Sequence, residues 1–114
     1  MFKSILRRGA IAALLIGTFY PQSSFGKGFT SADILKWEMT AQNSYFRTSV
    51  SMAGVIASQN RRAAARCIDQ WYFADKATQR KRADHIRGVM MKFPGYVPQA
   101  VIFAVIRKAC GKLF

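Results

Sequence analysis

Between residues 34 and 58 the apolar positions recur with helical rather than alternating spacing. On a wheel advancing about 100° per residue, Ile34, Leu35, Met39, Ala41, Tyr45, Phe46, Val50, Met52, Ala53 and Ile56 cover about half the circumference. Lys36, Asn43, Arg47, Ser51 and Ser58 fall opposite. The pattern is imperfect, because Trp37 and Val55 share the polar side while Glu38, Gln42 and Ser49 interrupt the apolar arc. Two kinds of reading fit: a kink or break near Gln42, Asn43 and Ser44, or else a buried polar seam or a second contact face for a partner. Thr30 and Asp33 have the spacing of a capping box and predict where this helix begins.

Residues 59–62 read as a helix end and loop, with cations suited to a helix C-terminus. Residues 63–67 predict a short turn of helix that delivers Cys67, and 68–73 show no clear period. A second long helix is predicted from 75 or 78 to 92. Its core stripe is Ala83, Ile86, Val89, Met90 and Phe93, with Arg80, Lys81, Arg87 and Lys92 on the remainder. The FPGY run at 93–96 is a stop with turn chemistry, and Pro98 suits the first turn of a last helix over 98–110. That helix is apolar over more than half its surface, which predicts a central position, and Gly111 is placed to end it with a left-handed cap. The fold class is all-α: a small helical bundle of about three to four helices with one disulfide.

The N-terminal stretch changes the domain reading. Lys3, Arg7 and Arg8 precede a short apolar run over 10–16, then a polar stretch ending with Ser24 and Gly26 at the positions a signal peptidase needs. The run is far short of the roughly 20 residues that span a bilayer. Residues 1–26 therefore read as a cleaved signal peptide, and 27–114 as a single helical domain in the periplasm.

Fifteen of the eighteen Lys and Arg and all five acids follow residue 26, which leaves the domain at +10. Such a charge favours anionic surfaces or an acidic protein face. Nucleic acid is not an expected partner, since an exported chain seldom meets it. The two cysteines, Cys67 and Cys110, allow one intramolecular bridge in an oxidising compartment. Free thiols or an intermolecular bridge are the alternatives. Closing this loop is worth about 4 kcal/mol on a chain-entropy basis.

The candidate chemistry is sparse. His85 is the one histidine, and it falls on the polar face of its helix. No zinc-ligand spacing, paired carboxylates, phosphate loop or nucleophile elbow occurs in the sequence. No enzyme activity, cofactor or metal is expected. What remains is a basic and aromatic stretch over 61–76. The candidate partner-binding residues are Arg62, Arg66, Trp71 and Tyr72 within it and Arg80 on the following helix, because arginine-flanked aromatics are the usual material of interface hot spots. Core packing of one or two of these aromatics is the alternative.

The order of several pieces resembles the small periplasmic immunity proteins of the Tai/Rap type, which neutralise amidase toxins delivered by type VI secretion. The pieces are FTSADIL at 29–35, SVSMAGVI at 49–56, Cys67, MKFP at 91–94 and the closing Ala109 and Cys110. The resemblance implies a helical bundle with a disulfide between its middle and last helices, often dimeric and without enzymatic activity. The function it implies is inhibition of a cell-wall amidase, with a toxin effector as protein partner. The other functional readings are a basic protein that binds an anionic envelope surface, and a small periplasmic stress chaperone.

Overall fold

The computed structural model describes residues 28–114; the leader expected over 1–26 lies outside them. These residues form α1 (Ser31–Leu35), α2 (Met39–Asn60), α3 (Arg62–Tyr72), α4 (Lys76–Lys92) and α5 (Pro98–Cys110). The all-helical class is as expected, but five helices exceed the three or four predicted. The first apolar segment divides early, and the stretch after Arg61 is helical.

The expected capping interaction starts α1. The Asp33 carboxylate accepts from the Thr30 backbone N–H at 2.9 Å and from its hydroxyl at 3.2 Å. The next free N–H groups, of Ser31 and Ala32, donate to the carbonyls of Tyr96 and Pro94 at 2.8 and 2.9 Å. The Ser31 hydroxyl, itself buried, adds a 2.9 Å bond to Tyr96. Donors that a helix start leaves unsatisfied are thus met by the turn between α4 and α5.

The break falls at 36–38, not at 42–44. No proline or glycine marks it. Gln42 explains both its own burial and the break, because its side-chain amide donates to the carbonyls of Trp37 and Leu35 at 2.9 and 3.3 Å. A polar residue inside an apolar arc therefore caps the end of the preceding helix.

Within α2 the buried stripe is narrow: Gln42, Phe46, Val50, Ala53 and Ala57, spaced by three or four residues. Met39, Met52 and Ile56 of the expected arc are exposed. In α3, Ala64, Ile68 and Tyr72 are buried at every fourth position, so the stretch that reads as aperiodic is a regular amphipathic helix. The Trp71–Tyr72–Phe73 run hides the period, since all three are at least partly buried.

Asp75 caps α4 through a 2.7 Å bond from the Thr78 N–H. Ala83, Ile86 and Met90 are buried as expected, but Phe93 is 46% exposed and Arg87 has gone inside. The Arg87 guanidinium is satisfied there by Gln42, Asn43 and Asp84 and lies over the Phe46 ring. Pro98 opens α5, which buries Val101, Ile102, Val105 and Ile106 and touches all four other helices. Gly111 has φ +86° and ψ −166°, a glycine conformation more extended than the expected left-handed cap. It turns the chain so that Leu113 enters the core. Cys67 of α3 and Cys110 of α5 form a disulfide with their Cα atoms 5.6 Å apart.

Candidate functional site

Of the five candidate partner-binding residues, four lie on α3 and Arg80 lies on α4, and helical geometry separates them. Arg62 is exposed in the first turn of α3. Arg66, one turn on, lines a shallow depression of about 660 Å³ against α2, beside Val55 and Asp69. Trp71 and Tyr72 are neighbours in sequence, but successive side chains on a helix diverge by about 100°. Tyr72 enters the core, with 1% of its surface exposed. Burial raises its phenol pKa, an effect that the nearby charges of Arg47 and Arg87 oppose. Arg80 is exposed on α4 and shares a small cavity with the edge of Tyr72. Trp71 alone of the five lines the groove between α4 and α5.

That groove runs between α4 and α5 and encloses about 740 Å³. Val89, Ala104 and Val105 form an apolar floor. Half-buried Trp71 stands at the end near Arg82, and Phe93 at the end next to the interhelical turn. Arg82 ties down the backbone and covers the ring: its Nε donates to the Trp71 backbone carbonyl at 2.7 Å, and its guanidinium lies 5.2 Å from the ring centre. Such a stack contributes about 0.5–1 kcal/mol at a partly exposed site. Lys81, Lys92 and Lys108 supply the rim, and none of the residues lining the groove is acidic.

Lys92 and Lys108 were not among the expected site residues, and Phe93 was assigned to the core. One signal was present in the sequence: Lys81, His85, Val89 and Lys92 recur at helical spacing and mark one face of α4. The α5 side of the groove had no such signal, because Ala104 and Lys108 read as an ordinary solvated strip.

A second groove, between α2 and α5, is almost wholly apolar. It encloses about 600 Å³ and is lined by Met52, Ile56, Phe103, Ile106 and Leu113. The remaining chemistry is local. Asp33 caps α1, Asp75 caps α4 and Asp84 pairs with Arg87 at 2.7 Å. The Thr78 N–H holds the Asp75 carboxyl below the usual carboxylate range. His85 is exposed. Among the described residues no group of His, Cys, Asp and Glu is arranged to hold a metal ion, and no helix is long and apolar enough to cross a membrane.

Fold and surface together define a class: a small, basic, disulfide-linked helical domain with open grooves between its helices. Compared with protein-family models, curated proteins and solved structures, the chain matches none.

Proposed function

We propose that this is a non-enzymatic binding protein of the bacterial envelope that associates stoichiometrically with another protein through the α4–α5 groove. The observation that carries the reading is Trp71 in that groove, half open, braced by Arg82 and set beside an apolar floor with cations at the rim. A large aromatic fixed before binding loses little freedom on association, and a rim of charge guides the encounter. The disulfide suits an oxidising compartment. Three of the five carboxylates already serve caps or an ion pair, which supports recognition rather than acid–base chemistry. The resemblance to Tai/Rap-type immunity proteins makes inhibition of a cell-wall amidase toxin the proposed form of this association.

The test is capture from periplasmic extract with the tagged mature chain. It is followed by identification of the partner, light scattering of the complex and an amidase assay on what is captured. Trp71→Ala is expected to weaken the complex by about 2 kcal/mol, roughly thirtyfold. A complex that keeps full affinity in both Trp71→Ala and Lys108→Glu would remove this face from the proposal. The broad positive charge favours a second reading, attachment to an anionic envelope surface, and a steep loss of binding with salt would select it.

A further inference from the structure

We infer that a small cavity between α2, α3 and the start of α4 is a binding site for a phosphate-type oxyanion. It shares no lining residue with the α4–α5 groove and stands independently of the function proposed for that groove. Its volume is about 230 Å³. Since water takes about 30 Å³ in the liquid, a phosphate group with a small substituent fits there, and a partner helix about 10 Å across does not.

Three cations converge on this space from two helices: Arg47 from α2, and Lys76 and Arg80 from α4. None of the residues lining it is acidic, and the first turn of α4 carries no acid. Asp75 precedes Lys76 and its negative charge is felt by Arg80, but its carboxylate is held by the Thr78 N–H and does not line the cavity. Like charges brought together repel, and an anion between them adds an attraction to each cation that offsets the repulsion.

The neutral side chains add direction. Asn43 accepts from the Arg87 guanidinium through its Oδ1, so its NH₂ group is the end left for the cavity it lines. Tyr72 contributes a phenol hydroxyl from an otherwise buried ring, and Gln79 can turn its amide to donate. Every lining side chain whose polar end is determined thus offers a donor. A lining made of donors suits a ligand made of acceptors. Phosphate has several acceptor oxygens and the charge to strengthen each bond, and arginine meets it with paired N–H groups. A metal ion is disfavoured, because the lining offers three cations, no carboxylate and only the Tyr72 hydroxyl and Gln79 carbonyl as acceptors.

The test uses the mature chain, free of partner, in a buffer of constant ionic strength. Inorganic phosphate is titrated through the millimolar range while the side-chain N–H signals of Asn43, Arg47 and Arg80 are followed by NMR. Saturable shifts at all three are expected. Arg47→Ala and Arg80→Ala should each weaken binding about tenfold or more, as for a lost hydrogen bond to a charged group. Tyr72→Phe, which keeps the buried ring, should weaken it less. Arg107→Ala, an exposed change on α5, should leave it unchanged. Vesicles of phosphatidic acid, set against phosphatidylcholine vesicles, distinguish the source. Arg80-dependent binding to the acidic vesicles assigns the site to a lipid headgroup, whereas response to inorganic phosphate alone assigns it to free phosphate or a small phosphate ester. Shifts that do not saturate, or that weaken equally in Arg107→Ala, would show diffuse attraction to a basic surface and overturn the site.

Discussion

The Arg87 Nε lies 2.7 Å from the side-chain oxygen of Gln42, inside the bundle and 45 positions away along the chain. The other end of the Gln42 amide donates to the carbonyl of Leu35, the last residue of α1, and to that of Trp37. A single glutamine therefore couples the end of one helix to a cation on another. Arg87 then fixes Asn43 as well, and with it the orientation of the amide at the proposed anion cavity. The interior polar network and the surface site are two ends of one arrangement.

Breaking this arrangement from one side should expose it. Arg87→Met leaves the Gln42 oxygen buried without a donor and is expected to lower stability by about 1–3 kcal/mol. Gln42→Leu removes the cap on α1 and is expected to fall in the same range. The two share one bond, so the double variant should be less destabilised than the sum, with a coupling of about 0.5–3 kcal/mol in urea denaturation. Strict additivity would mean that the contact contributes nothing.

The bridge between Cys67 and Cys110 ties α3 to α5. Peptide mapping of protein isolated from its native host without reductant is expected to return the two cysteines as one linked pair. Cys67→Ala should lower stability by about 2–5 kcal/mol. Two alkylatable thiols in that material would contradict the bridge.

Asp75 makes the start of α4 sensitive to acid. The Thr78 N–H lowers its carboxyl pKa, so the folded state holds the ionised form more tightly than the unfolded chain does. The stabilisation is present above the unfolded pKa and disappears as the pH falls through the lower, folded value. Asp75→Ala should therefore melt at a lower temperature than the parent at neutral pH. The difference should close once the pH drops below the normal carboxylate range. A gap that persists in acid would point to something other than this carboxylate.

The rim and the centre of the α4–α5 groove should separate kinetically. Lys81→Ala and Lys108→Ala are expected to slow association with the protein partner and flatten its salt dependence while leaving dissociation little changed. Trp71→Ala should act mainly on dissociation. The complex should persist at physiological ionic strength, where exposed charges are screened over about 8 Å. Dissociation rates that respond to the lysines and not to Trp71 would place the centre of the interface elsewhere.

Much of the fold was legible because it depends on neighbours close in sequence. The Thr30–Asp33 cap, the stripe of α4 through Met90, the FPGY turn and the first-turn Pro98 are all local events, settled within a few residues by donors, ring constraints and helical period. The pairing of two cysteines in a chain that holds only two needed little more. A turn of helix over 63–67 is legible, but its continuation to Tyr72 is hidden by three consecutive aromatics, which no single wheel can assign to one face.

Other features came from contacts between distant parts of the chain. The break at 36–38 carries no breaker residue; the turn at 94–96 takes the first N–H groups of α1, and Gln42 takes the carbonyls of Leu35 and Trp37. Arg87 reads as a surface cation until Gln42 and Asn43 arrive to satisfy it. Trp71 and Tyr72 are equivalent aromatics in the sequence, and only the packing of α3 against its neighbours sends one to a groove and the other to the core. The sequence alone determined the helical class, the basic charge and the cysteine pair, since composition and short-range spacing carry them. Tertiary structure decided which polar groups lie inside and which side chains face a common space, because a buried polar group is tolerated only where a distant partner meets it.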